Sequence, residues 1–106
     1  MDKNTIDVMF SSKSNDWATP QSFFDKLNNI FGPFTLDAAA SADNYKVPKY
    51  FTEADDSLIQ DWSGHTVFLN PPYGRALKDW VKKSYEEGQK DDTTVVMLIP
   101  ARTDTK

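Results

Sequence analysis

The chain has 106 residues, 39% of them hydrophobic and 13% aromatic, a composition that suits one small domain with a single core and excludes a disordered one. It contains no cysteine, which removes disulfides and thiolate metal sites from consideration. A formal net charge of −4 and a sequence pI of about 4.8 argue against broad, non-specific nucleic-acid binding, because that binding rests on neutralising phosphates. A local basic patch from Lys46, Lys49, Arg75, Lys78, Lys82 and Lys83 stays compatible with the sequence, although the last three read more simply as a solvated helix face. No apolar run reaches membrane-spanning length, and no signal-peptide pattern opens the chain.

The opening stretch "MDKNTIDVMFSSKSND" is polar, and residues 1–15 are expected to be a loosely ordered segment ahead of the domain at 16–106. "TPQSFFDKLNNIFGPF" predicts a helix over 20–31. Thr19 suits the N-cap and Pro20 the first turn, while Phe23, Phe24, Leu27, Ile30 and Phe31 recur at helical spacing. Gly32 is expected to close this helix in the left-handed conformation, with Pro33 blocking its continuation. Phe34 to Leu36 read as a short strand, after which Asp37 and three alanines open a loop or a helix start. "ADNYKVPKYF" is irregular, and "TEADDSLIQDW" suggests a short helix capped by Thr52.

Ser63-Gly64 marks a turn. "TVFL" then reads as a buried strand, and "RALKDWVKKSYEEGQ" as a helix with Leu77, Trp80, Val81 and Ser84 on one face, Lys78, Lys82 and Lys83 elsewhere, and Gly88 ending it. "TTVVMLIPA" is a continuous apolar run of the kind parallel sheets use. Strands alternating with helices imply an α/β fold, a parallel sheet with right-handed crossovers. Three strands are few for such a sheet. The chain therefore reads as truncated after Lys106, and a homo-oligomer would be one way to cover the exposed core.

The chemistry concentrates in "TVFLNPPYG". In open α/β sheets ligands bind beyond the carboxyl ends of the strands, which is where Asn70-Pro71-Pro72-Tyr73 falls. Asn70 offers a side-chain carbonyl acceptor, and Pro71 a backbone carbonyl with no N–H of its own. The paired prolines stiffen the loop, Tyr73 presents a ring for stacking, and Gly74 lets the chain turn away. Two rigid acceptors beside an aromatic face suit a planar NH₂ group. By drawing its protons they favour a directed lone pair on nitrogen, able to attack a methyl group held in line on a sulfonium. The plainer alternative is a strand terminator with a surface tyrosine. His65, the only histidine, reads as an incidental turn residue with no metal cluster around it, and Arg102 as either an anion contact or a solvated chain end.

The stretches "WATPQSFFDKL", "FTLDAAAS", "ADDSLIQDW", "FLNPPYG" and "LIPARTDT" together resemble the phage-type DNA N-6-adenine methyltransferase (Dam) family, from about Asp16 to the last residue. The resemblance implies a Rossmann-like sheet with helices on both faces, S-adenosylmethionine as cofactor and adenine in duplex DNA as substrate, in a cytoplasmic phage- or prophage-encoded protein of the kind found in DNA modification. Asn70, Pro71, Pro72 and Tyr73 would then receive a flipped adenine. Asp37, Ala38, Ala39, Ala40 and Ser41 would form the cofactor loop, with alanines where the usual pattern has glycines. Asp56, or else Asp55, would lie by the cofactor's adenine ring, and Trp17, Thr19 and Pro20 would pack over its methionine end. Capping and core packing explain the same residues without a cofactor. Because glutamine methyltransferases share the Asn-Pro-Pro-Tyr sequence, a protein glutamine substrate is the alternative, and a non-catalytic fragment that binds cofactor or a partner is a third.

Overall fold

The computed structural model describes residues 5–10, 20–41, 45–71 and 77–100. Four parallel strands form one sheet in the order β1-β4-β3-β2, with β1 at Thr5–Phe10, β2 at Leu36–Asp37, β3 at Thr66–Leu69 and β4 at Thr94–Pro100. Two helices, α1 (Gln21–Phe31) and α2 (Leu77–Gly88), accompany them. Successive residues of a strand point to opposite faces, and the core divides accordingly. Phe68, Val96 and Leu98 meet Phe24 and Leu27 of α1, whereas Val67, Leu69, Val95 and Met97 pack with Trp62 and the α2 residues Trp80, Val81 and Tyr85. One helix thus covers each face. The steps from β2 to β3 and from β3 to β4 run in one direction across the sheet and are covered on the α2 face. The reverse step from β1 to β2 uses the α1 face, as crossovers of a single hand require.

The first strand is a correction. Residues 5–10, expected to be loosely ordered, form β1 and pair with β4 along its whole length, Thr5 against Val95 through Phe10 against Pro100. The reason lies in tertiary contacts that a polar stretch does not advertise. Ile6 and Val8 join the α1 core. On the other face Thr5 Oγ1 donates to the Ser84 carbonyl (3.0 Å), and the Tyr85 hydroxyl donates to Asp7 (2.8 Å).

Smaller departures follow local rules. Pro20 is the residue before α1 rather than its first member, and its carbonyl accepts from the Phe23 and Phe24 amides. Gly32 is extended, not left-handed (φ −85°, ψ −158°), because a following proline disfavours helical backbone at the residue before it. The Asn28 side chain instead closes the end of α1 by accepting from the Phe34 amide (2.9 Å). β2 is shifted to Leu36–Asp37, so Asp37 belongs to the strand. In place of one helix, Glu53–Asp55 and Ser57–Ile59 make two single 3₁₀ turns. Asp55 caps the first by accepting from the Thr52 amide (2.8 Å), and Asp56 joins the two in the left-handed conformation (φ 53°), which short polar side chains tolerate.

Lys83 is a further correction. It is no solvated lysine: its side chain is 12% exposed and pairs with Glu87 at 3.0 Å. Its ammonium also lies over the Trp62 ring and donates to the Gln60 carbonyl. Glu87, itself 5% exposed, accepts in addition from Lys90 (2.8 Å) and from the Trp62 amide (3.0 Å). Burial pushes its carboxyl up, but the bonds from Lys90, Lys83 and Trp62 outweigh burial and leave it below the ordinary glutamate value. Such a group stabilises the fold above its unfolded pKa, and the contribution disappears as pH falls through the lowered folded value. Glu87→Gln should cost about 3 kcal/mol at neutral pH, since it strands the Lys83 charge. Denaturant titrations across the acid range should show the variant and parent curves converging as pH drops, and parallel curves would refute this assignment.

Gly88, the last residue of α2, is buried where Thr5 passes. Helix propensity alone favours Gly→Ala by about 1 kcal/mol. Here the added Cβ would collide with the Thr5 Oγ1 and come within 3.2 Å of its backbone nitrogen. Gly88→Ala should therefore lower stability by about 1–3 kcal/mol, and a higher melting temperature would show that β1 does not dock as described.

Candidate active site at the carboxyl ends of β2 and β3

β2 and β3 run side by side with Leu36 against Val67 and Asp37 against Phe68. Their carboxyl ends therefore open together. Beyond β3 come Asn70, half-buried, and Pro71, buried. Beyond β2 the chain continues through Ala38, fully buried, to the half-buried Ala39 and Ala40 and the exposed Ser41. The Ala38 amide donates to the Phe68 carbonyl (3.1 Å) and the Ala40 amide to the Phe51 carbonyl (2.9 Å), so this loop is tied down on both sides. Pro20 and the start of α1 reach the same end. The Lys46 ammonium donates to Gln21 Oε1 (3.2 Å), while the Lys46 amide donates to Asp37 Oδ2 (2.8 Å).

Asp37 is the unusual group of the site. It is 2% exposed, and its Oδ1 has no hydrogen-bond partner among the described residues. Burial pushes its carboxyl above the ordinary aspartate value, with the Lys46 and Ala39 amides and the Lys46 charge holding it partly down. A buried acceptor left without a donor is costly, and functional sites are where such costs concentrate.

The two neighbouring aspartates differ. Asp55 spends a carboxylate oxygen on the Thr52 amide and hydroxyl. Asp56 is exposed, and no described residue bonds its carboxylate. Trp17, Thr19, Pro72, Tyr73, Gly74, Arg75 and Arg102 lie outside the described residues. His65 sits before β3, at the opposite end of the sheet, where its ring contacts the Thr35 hydroxyl at 3.0 Å. Sequence reading missed the way "YKVPKY" frames this site: Tyr50 bridges to Asp37 as a further parallel partner outside β2. The signal was the recurrence of tyrosine on either side of Lys-Val-Pro-Lys, which no simple periodicity flags.

A family model described as DNA N-6-adenine-methyltransferase (Dam) matches residues 8–106. The chain belongs to this family. It is 40% identical over 65 residues to a putative methyltransferase, YfdM, of Escherichia coli (strain K12), covering 56% of this chain and 71% of that one. It is 34% identical over 91 residues to the DNA N-6-adenine-methyltransferase of Haemophilus phage HP1 (strain HP1c1), covering 85% of this chain and 52% of the relative. The enzyme of the same name from Escherichia phage T1 is 34% identical over 90 residues, covering 84% of this chain and 37% of the relative. The chain thus spans about half or less of the two phage enzymes. No solved structure matches it. The match to the Dam family begins inside β1, ahead of the Asp16 start suggested by the motifs.

The Asp37 carboxyl gives a direct test of the site's electrostatics. Its raised pKa means that the folded chain holds this proton more tightly than the unfolded one, so ionising it withdraws stability as pH rises through the two values. Asp37→Asn removes the buried charge and keeps an acceptor for the Lys46 amide. Thermal unfolding at neutral pH should show it as stable as the parent, or up to about 1 kcal/mol more stable. A loss well beyond that would mean the carboxylate is a structural anchor.

Proposed function

We propose that this Dam-family chain, residues 16–106 together with β1, is a methyltransferase unit that moves a methyl group from S-adenosylmethionine to the N6 amine of adenine in duplex DNA. The observation that carries the reading is the position of Asn70-Pro71 at the carboxyl end of β3, beside the Asp37–Ser41 loop at the end of β2. The family and the names of the phage relatives supply the substrate class. The parallel sheet with a helix on each face is compatible with a Rossmann-like arrangement, and a DNA-modifying protein of this kind would act in the cytoplasm. Among the described residues no helix is long and apolar enough to cross a membrane.

The residues at this end fit the cofactor on one specific ground. The buried Oδ1 of Asp37 lacks a donor among the described residues, and the amino or hydroxyl groups of S-adenosylmethionine are donors. Ala38, Ala39 and Ser41 are small enough for close approach. Asp56 has its carboxylate available for an exocyclic amine, and Pro20 with Trp17 and Thr19 would close the methionine end. When bound, S-adenosylmethionine supplies an electrophilic methyl group on sulfonium.

The chain's own contribution is orientation and polarisation. The Asn70 side-chain carbonyl and the Pro71 backbone carbonyl accept hydrogen bonds from the adenine NH₂, turning its lone pair toward the methyl group. Pro72 keeps the turn stiff, and Tyr73 stacks on the extruded base. As the N–C bond forms the methyl–sulfur bond breaks, leaving a neutral thioether, and the amine's proton passes to solvent.

Asn70→Ala should reduce methyl transfer to DNA by at least 100-fold with little change in S-adenosylmethionine affinity, measured by tritium transfer and by calorimetry. Asp37→Asn should show the converse, weaker cofactor binding in a chain that still folds. If Asn70→Ala lowers cofactor affinity as much as turnover, Asn70 does not serve the amine. A glutamine-bearing peptide assayed beside DNA separates the substrate classes, and methylation of the peptide alone would overturn the reading.

A further inference from the structure

The edge of the sheet beyond β2 also carries an aromatic pair. Tyr45 and Tyr50 stack face to face with ring centroids 4.3 Å apart and planes within 3°. Tyr50 is locked to the sheet by its bridge to Asp37, whose amide donates to the Lys49 carbonyl (3.0 Å) and whose carbonyl accepts from the Phe51 amide (3.0 Å). Tyr45 lies on the outside of the pair and is 47% exposed. Two lysines flank the rings. Lys49 is exposed, with its ammonium 5.6 Å from the Phe51 ring centroid, and Lys46 reaches the uncharged Gln21 amide. Among the described residues neither forms an ion pair, whereas Lys82, Lys83 and Lys90 are neutralised by Glu86, Glu87 and Asp61. An exposed aromatic plane and two lysines without an ion-pair partner among the described residues, Lys46 facing Asp37 and Gln21 and Lys49 lying over Phe51, thus share one edge of an otherwise acidic chain.

The distance from the candidate site fits one occupant. Tyr50 stands two strand spacings from β3 and level with Phe68, so it lies on the order of 12 Å from Asn70. An extruded base swings about 180° out of its stack, so the neighbours it leaves behind lie to one side of the pocket that receives it rather than one stacking step away. Extruding a base leaves its neighbours with unstacked faces, and an aromatic side chain is the usual replacement.

We propose that the Tyr45–Tyr50 stack, with Lys49 and Lys46, receives the DNA beside the target adenine, the outer face of Tyr45 stacking on a nucleobase and Lys49 meeting a phosphate. The proposal rests on the adenine-methyltransferase reading. It also accounts for DNA binding by a chain of net charge −4, since the attraction is local. A purely structural stack would need Tyr45 only to pin the 46–49 loop, and that role is moved by different measurements.

The test uses the full chain, a fluorescein-labelled mixed-sequence duplex read by anisotropy, S-adenosylmethionine binding by calorimetry, and circular dichroism. Tyr45→Ala should weaken DNA binding about 10-fold or more, and Tyr45→Phe should restore it. Lys49→Gln should weaken binding and reduce the slope of log affinity against log salt by about 0.9. All three variants should keep the parent's fold and cofactor affinity. Parent-like DNA binding by Tyr45→Ala and Lys49→Gln, with the parent binding and methylating DNA, overturns this proposal alone. Parallel losses of DNA and cofactor affinity also overturn it, by assigning the pair to the fold or to the cofactor. A parent chain that neither binds nor methylates DNA takes both readings down together.

Discussion

β4 is hydrogen-bonded along both edges and buried on both faces, and every other element takes its place from it. Val95, Val96, Met97 and Leu98 are all fully buried. β1 and β3 pair with it on opposite sides, and α1 and α2 cover its two faces. A strand so placed has no solvent face, which is why its sequence shows no alternation. Because β3 is held in register by β4, with Leu69 against Met97, the position of Asn70 just past β3 is fixed to within a residue. Precision at the candidate site is thus inherited from a ladder that contributes no described site residue.

The carboxylates show how the fold separates support from function. Glu87 is buried and fully satisfied, with two ammonium groups and an amide around it. Asp37 is also buried, yet one of its oxygens has no donor among the described residues. The first sits toward the amino ends of the strands, where α2 finishes and Trp62 leads into β3. The second sits at the carboxyl ends, beside Asn70. The two acids are shifted in opposite directions because burial dominates at Asp37 whereas two ammonium groups and an amide face Glu87, and Asp37 lies at the end where a ligand would approach.

Much of this arrangement was legible in the residues. Phe24 and Leu27 declared the buried stripe of α1, and "TVFL" and "TVVMLIP" declared the interior strands; Asn70 and Pro71 follow β3, where the sequence reading expects a site. What escaped detection depended on partners far away in the chain. Thr5–Phe10 is too polar to read as a strand until Ser84, Tyr85 and β4 are there to meet it. Lys83 reads as a surface lysine until Trp62 and Glu87 close over it. The 3₁₀ turns at Glu53–Asp55 and Ser57–Ile59 share the capping residues of a true helix, so local pattern alone does not distinguish them. Tyr45 and Tyr50 looked irregular because their order comes from each other's rings and from Asp37.

The placement of β1 also bears on how the chain acquires its structure. Thr5 sits against Val95, so β1 has no strand to pair with until β4 has been made. Contacts this distant along the chain slow folding by their closure entropy. During translation α1 has only its local propensity to hold it, with the sheet face it is to cover still unmade. β4 supplies residues to both hydrophobic layers and the pairing edge for β1, so β1 waits on an element far later in the chain.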